Sequence, residues 1–312
     1  MHVLLTGASS FTGAWFAREL AAAGHQVVAT FRGARDSYGG VRGRRIAELP
    51  DRVECVWGVS FGDAQFVALA GGRSFDALLH HGAEVTNYRS WDFDPIAATA
   101  KNTMNARAVL EAAAGQGCRR LIATGSVFEP FEGIGSAGAR AFNPYGLSKH
   151  LSFEVLRMEA ERLGMALGKF VIPNPFGPGE EMRFTSYLAK EWAAGRVPVV
   201  GTPDYVRDNI HVSLLARSYA AFCEALPADG GLMRRTPSGY VESQGAFARR
   251  LAREIGDRVP WTCGVAEGVQ TDFAEPMMRV NSEPATRMGL GWSDAEAWNA
   301  LAAFYLETFG SA

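Results

Sequence analysis

Cysteine is scarce in this sequence and scattered: Cys55, Cys118, Cys223 and Cys263 form no CxxC pair. That spacing offers neither a zinc ligand set nor a disulfide framework, and reduced thiols in a cytoplasmic protein are the simplest reading. Long apolar runs are missing too. The first, Val3-Leu4-Leu5, is interrupted at once by Thr6-Gly7 and is too short for a signal-peptide core, while no later segment could span a bilayer. Nor does one charge dominate: 31 Lys and Arg against 33 Asp and Glu leave a formal net charge of -2. With no global basic field, neither nucleic acid nor a membrane is an expected partner, and any anionic ligand must be met locally. What the chain has is bulk, 312 residues of which 47% are hydrophobic, enough for one large domain or two interlocked ones.

The first half alternates short apolar runs with amphipathic stretches. His2-Leu5, a helix from about Thr12 to Ala23, and Gln26-Phe31 make a βαβ unit. Further strands are expected at Arg52-Trp57, Ala77-His80, Arg120-Ala123 and Lys169-Ile172, with helices at Ala97-Ala114 and Ser148-Leu163. Right-handed crossovers turn this order into an α/β fold with a doubly wound parallel Rossmann sheet. Beyond Ile172 the pattern loosens into a Pro/Gly-rich loop, isolated helices and short strands. The expected division is a dinucleotide-binding domain over 1–172 plus about 205–230, and a smaller, discontinuous substrate-binding region over about 173–204 plus 231–312.

Strand one runs into Thr6-Gly7-Ala8-Ser9-Ser10-Phe11-Thr12-Gly13. Gly7 permits a tight turn, Gly13 lets the helix pack close to the strand, and the amides of Ser9, Ser10, Phe11 and Thr12 at the helix start can receive a pyrophosphate. A glycine pair is weak evidence by itself, but its place between a strand and a helix strengthens it. At the end of strand two, Ala29-Thr30-Phe31-Arg32 offers no acid to a ribose, and Arg32 and Arg35 offer guanidinium groups instead. They suit a ribose 2′-phosphate, so NADP(H) is favoured, with NAD(H) possible; two solvated loop cations are the alternative.

In Asn143-Pro144-Tyr145-Gly146-Leu147-Ser148-Lys149, Tyr145 and Lys149 lie one helical turn apart on one face of a helix entered at Pro144. A lysine cation lowers the pKa of a nearby phenol and can bond a nicotinamide ribose. Upstream, Leu121-Ile122-Ala123-Thr124-Gly125-Ser126 is an apolar strand ending in hydroxyls, at the edge where a doubly wound sheet presents ligands. Either hydroxyl could also be a mere strand-end cap.

Together these segments resemble the extended short-chain dehydrogenase/reductase family, which includes nucleotide-sugar epimerases, dehydratases and ketoreductases. The turn is similar to its TGxxGxxG fingerprint, with Ser10 where the middle glycine is usual, which implies crowding against the pyrophosphate. Counting back from Val127-Phe128, the resemblance puts Thr124 at the catalytic hydroxyl, with Ser126 as runner-up and a substrate contact, and Tyr145 and Lys149 at the acid and its partner. His80-His81-Gly82-Ala83 resembles the HxAA turn beside the cofactor, giving His80, Gly82 and Ala83 as contacts, and Asn102 matches a helix-borne asparagine nearby. Both histidines are taken as structural, because nothing close in sequence completes a His-centred triad. Val59 stands where an Asp usually meets the adenine, leaving that contact to backbone groups or Ser60. Pro173 and Asn174 match the loop that meets carboxamide and substrate, and Arg183 follows in a substrate loop with Glu180, Glu181, Thr185 and Tyr187. Arg207, in Val206-Arg207-Asp208-Asn209-Ile210-His211-Val212, matches the arginine that binds a nucleotide pyrophosphate; a surface ion pair with Asp208 is the plainer reading. Arg287 is assigned to substrate on a looser C-terminal match.

The resemblance implies a nucleotide-diphosphate sugar as substrate. Dehydratases need acid-base groups at positions that are Gly125 and Ser126 here. Epimerases usually keep NAD and an acid after strand two. The reading is therefore an NADPH-dependent 4-ketoreductase acting on a 4-keto-6-deoxy sugar, with a 4-epimerase as first alternative and a non-catalytic dinucleotide-binding sensor or scaffold as another. A homodimer is expected through the two helix faces carrying Met104, Leu110, Phe153, Leu156 and Met158.

Overall fold

The computed structural model describes residues 1–136, 140–272 and 275–310. The first half runs β1 (His2–Thr6), α1 (Phe11–Ala22), β2 (Gln26–Phe31), α2 (Gly40–Ala47), β3 (Val53–Trp57), α3 (Ala64–Gly72), β4 (Ala77–His80), α4 (Pro95–Asn102), α5 (Ala106–Gly115) and β5 (Arg120–Ser126). The second half runs β6 (Ile134–Gly135), α6 (Pro144–Arg162), β7 (Ala166–Ile172), β8 (Asn174–Phe176), α7 (Phe184–Ala193), β9 (Val199–Val200), β10 (Val206–His211), α8 (Val212–Ala225), β11 (Leu232–Arg235), β12 (Pro237–Ser238), β13 (Tyr240–Ser243), α9 (Gln244–Gly256), β14 (Ala266–Glu267), β15 (Arg279–Val280), β16 (Glu283–Pro284) and α10 (Asp294–Phe309).

Seven parallel strands form the central sheet in the order β11-β7-β5-β4-β1-β2-β3. Alternation along the strands sorts its side chains: Leu5, Leu79 and Ile122 join α1 and α8 on one face, while Leu4, Leu78 and Leu121 join α3, α5 and α6 on the other. A third core around Phe176, Trp192, Phe247, Leu251, Trp298 and Tyr305 holds α7, α9 and α10 together. Full burial of each such side chain contributes roughly 1.5–3 kcal/mol.

Two expectations are revised. The single helix over Ala97-Ala114 is two helices, because Asn105 adopts a left-handed conformation (φ 48°) that asparagine tolerates better than most residues. Residues 206–230 share one core, with Ile210 of β10 beside α8, but not one sheet. Helix α8 packs on α1 and β7, but β10 pairs with β8 and β13 in a separate three-stranded sheet, and Leu232–Arg235 supplies the seventh strand of the main one. Of the five residues expected on a dimer seam, Leu110, Phe153 and Leu156 are core, while Met104 and Met158 are exposed.

Candidate active site

The glycine-rich turn is built by close approach. Gly7 has φ +78°, and a Cβ on it would come within 2.7 Å of the Gly82 nitrogen; one on Gly13 would lie 2.2 Å from the Gly7 carbonyl. Turn, helix and β4 end are thereby locked together. Ser10 caps α1 by accepting the Gly13 amide at 3.0 Å. The hydroxyl of Ser10 is turned to Gly13 and, at 3.0 Å, to the His81 ring. Among the described residues the Phe11 and Thr12 amides have no acceptor, so the N-terminus of α1 fits a dinucleotide pyrophosphate. Phe11 lies between the guanidinium groups of Arg45 and Arg183, at 5.9 and 5.8 Å. Arg45 also pairs with Glu181 and donates to the Ser9 carbonyl at 3.3 Å.

Arg32 and Arg35 project from the end of β2 into solvent. Ser60 donates its amide to Asp63, the cap of α3, at 2.7 Å. His80 is buried and satisfied, bonded to the Thr6 hydroxyl at 3.0 Å and the Asn102 carbonyl at 2.9 Å. Burial, helped by the Lys149 charge, pushes it down to about 3, so it is neutral. The Asn102 side chain is committed to the Glu84 amide and the Ser152 hydroxyl, which ties α4 to α6. Gly82 donates its amide to Thr6, and Ala83 follows it, half-buried.

Helix α6 starts with the Asn143 side chain accepting the Gly146 amide at 2.7 Å and Pro144 in its first turn. A Cβ at Gly146 would sit 2.0 Å from the Phe128 carbonyl. That contact presses the first turn of α6, and Tyr145 with it, against the segment leaving β5. Tyr88, Phe93 and Phe128 wall the Tyr145 ring, with centroids at 5.2, 6.1 and 6.2 Å. Lys149 is buried, and with Thr124, His80, Asn102 and Ser152 it lines a cavity of about 10 Å³.

The expected effect of Lys149 on Tyr145 is corrected. Burial first, then the Glu129 carboxylate and Tyr88, hold the phenol above its ordinary range, with Arg183 opposing them. Burial likewise lowers Lys149, against Glu129. Glu129 was not foreseen. It is fully buried and pairs with Lys169 at 2.6 Å, which also reaches Glu132 at 2.9 Å. A tyrosine in this setting remains protonated at neutral pH, so it has a proton to give and cannot act as a base, and it is a weaker acid than a free phenol.

Thr124 is buried at the end of β5 on the α1/α8 face, hydrogen-bonded to His81 at 3.1 Å. Ser126 donates its amide to Glu129, and its hydroxyl accepts the Phe128 amide. Pro173 is buried between β7 and β8, and Asn174 donates to Asn209 across paired strands at 2.5 Å. A larger cavity of about 340 Å³ lies beside the start of α6, lined by Arg207, Glu275, Tyr205, Asn143, Arg89 and Trp91 among others. Arg207 lies over Tyr205 and pairs with Glu275 at 3.0 Å, while Asp208 is buried and accepts the Gly239 and Asn281 amides. The plain Arg207-Asp208 surface pair is therefore not formed. Tyr145, Ser126, Asn174 and Arg183 line neither cavity, and nor does Arg287, which sits exposed on a 3-10 turn packed on α8.

The profile of the NAD dependent epimerase/dehydratase family matches residues 3–231. The chain belongs to this family. No curated protein matches it in sequence. Among solved structures it is similar to UDP-glucuronic acid 4-epimerase from Bacillus cereus in complex with UDP-glucuronic acid and NAD, at 16% identity over 99% of this chain and 100% of that one, TM-score 0.76. The dTDP-glucose 4,6-dehydratase DesIV from Streptomyces venezuelae, with NAD and TYD bound, is 20% identical over 100% and 98% of the two chains, TM-score 0.74. UDP-glucose 4-epimerase from Thermotoga maritima, with UDP-glucose, is 16% identical over 99% of each chain, TM-score 0.73. At these identities the likeness is one of fold: a Rossmann-type α/β protein with a seven-stranded parallel sheet.

Proposed function

We propose that this protein uses NADPH to reduce the C4 ketone of a nucleotide-linked 4-keto-6-deoxy sugar. The observation that carries the reading is the end of β2, where Arg32 and Arg35 are exposed and pair with no carboxylate among the described residues. Two free guanidinium groups fit a ribose 2′-phosphate, whereas a ribose 2′-hydroxyl would call for an acid. An exchangeable reduced dinucleotide suits net reduction; an epimerase must keep its dinucleotide through oxidation and re-reduction.

When bound along the α1 N-terminus, the dinucleotide would supply the hydride. Thr124 and Tyr145 hold the ketone oxygen, and Tyr145, kept protonated by its surroundings, gives its proton to that oxygen and regains one from solvent. Lys149 supports Tyr145 and orients the nicotinamide ribose. Arg207, in the 340 Å³ cavity, anchors the diphosphate, contributing position rather than chemistry. The aromatic wall of Tyr88, Phe93 and Phe128 suits a methyl group at C6. Ile96, Met104, Leu147, Val155 and Met158, exposed on or beside α4 and α6, support a homodimer.

The test is NADPH oxidation by the purified protein with a dTDP-4-keto-6-deoxyhexose. Turnover is expected, and Tyr145→Phe should lower kcat by roughly 10²–10⁴-fold. Full turnover by Tyr145→Phe overturns the assignment. Epimerisation of an intact nucleotide hexose on tightly held NAD revives the epimerase, and dinucleotide binding without any turnover points to a sensor or scaffold.

A further inference from the structure

Three hydroxyls from two distant parts of the chain converge on the His81 ring. Its Nδ1 is 3.1 Å from the Thr124 hydroxyl, and its Nε2 is 3.0 Å from both the Ser10 and the Thr12 hydroxyls. The ring packs edge-on against Phe16 at 5.0 Å, so it cannot swing to other partners without disturbing the α1 face of the core.

Donor and acceptor accounting fixes the direction of this chain. Ser10 already accepts the Gly13 amide, so its own proton is available to donate. Thr12 has no hydrogen-bond partner other than His81 among the described residues. A bare Nε2 takes the proton of one hydroxyl and shares its lone pair with the other, whereas an Nε2–H would leave both hydroxyl protons without an acceptor among the described residues. The ring proton then sits on Nδ1 and is donated to the Thr124 oxygen. The buried Tyr219 hydroxyl, which has no other partner among the described residues, also interacts with Thr124; as a donor to the second lone pair of the Thr124 oxygen it leaves the Thr124 proton free. Burial, reinforced by the Lys149 charge, pushes His81 down to about 3, which agrees with a neutral ring.

We propose that His81, held by Ser10 and Thr12, is a positioning residue that leaves the Thr124 proton free to be donated to the reacting oxygen. The inference rests on the reading that Thr124 touches that oxygen. It also gives Ser10, standing in place of glycine, a use: the turn that receives the dinucleotide is wired to the hydroxyl that holds the substrate.

Two measurements test it. In ¹⁵N-histidine-labelled protein, the His81 ring should carry its proton on Nδ1 throughout the neutral range; a proton on Nε2, or a doubly protonated ring at neutral pH, overturns the inference whether or not a substrate is known. In turnover, His81→Phe keeps the packing on Phe16 but loses the donor. It should lower kcat on the order of 10- to 100-fold with little change in KM, His81→Gln should restore part of the loss, and His81→Phe should add nothing to a Thr124→Val background. Full kcat in His81→Phe, or additive losses in the double variant, overturns it. Full kcat in Thr124→Val would instead sink the assignment of Thr124, and absence of any keto-sugar reduction by the parent protein would sink the proposed reaction, leaving the ¹⁵N result to decide the role of His81.

Discussion

The two faces of the central sheet reach its C-terminal edge with opposite chemistry. On the α6 side the buried groups are ionic: Lys169 lies between Glu129 and Glu132, Arg234 reaches Glu132 at 3.0 Å, and Lys149 and Tyr145 stand in the same field. On the α1 side the groups around Thr124 are a neutral chain of Ser10, Thr12 and His81, and the buried Arg45 beyond them is paired with Glu181. Buried charges cost several kcal/mol each unless paired, whereas a neutral hydroxyl-imidazole chain costs little once its bonds are made. The ionic face therefore shifts the pKa values of Tyr145 and Lys149, and the neutral face holds Thr124 by hydrogen bonds alone.

The largest expected effect tests that contrast. Lys169→Met leaves Glu129 and Glu132 under-compensated in the interior and should cost about 3–5 kcal/mol of stability in denaturant melts. Thr12→Val, on the neutral face, should cost only about 1 kcal/mol. Equal costs would break the comparison.

Glu180 sharpens it, because this buried carboxyl has hydroxyls rather than a cation as its bonding partners, Thr185 at 2.7 Å and Tyr305 at 2.8 Å. Burial raises it to about 7 from 4.5. The native state thus keeps a proton that the unfolded chain loses, so stability falls as pH rises from about 4.5 through about 7, by on the order of 3 kcal/mol. Glu180→Gln removes that dependence: measured by denaturation, its stability relative to the parent should improve from pH 4.5 to pH 8. A constant difference across the window would show that Glu180 does not carry the proton.

Smaller effects are expected where charges face solvent. Arg207→Ala should weaken binding of a nucleoside diphosphate by roughly 10- to 100-fold, read by calorimetry, with less effect on kcat. Replacing Arg32 and Arg35 together by Ala should cut the preference for NADPH over NADH by about 10-fold, read from the two KM values. An unchanged preference would return both arginines to the status of solvated loop cations.

Local chemistry was legible. The strand-turn-helix around Gly7, the i,i+4 spacing of Tyr145 and Lys149, and the missing acid at Arg32 all follow from neighbours in sequence, where period and turn chemistry operate. The break at Asn105 lay in a stretch whose apolar pattern suggested one helix, and only the residue type hinted at it. His81 was set aside as structural because its partners are 43, 69 and 71 residues away. Glu129 carried no signal at all, since its meaning depends on Lys169 arriving from the next parallel strand. Arg207 reached the larger cavity but Arg287 did not, although both had been assigned by resemblance.

By itself, then, the sequence determined the doubly wound order and the placing of Tyr145 and Lys149 one turn apart on α6, because periodicity, turn residues and one helical turn of spacing are local properties. Only the tertiary structure decided that burial and the Glu129 carboxylate push the Tyr145 phenol above its ordinary range, and that the Thr124 hydroxyl is bonded to His81. Burial and buried partners set both, and parallel crossovers bring those partners from distant parts of the chain.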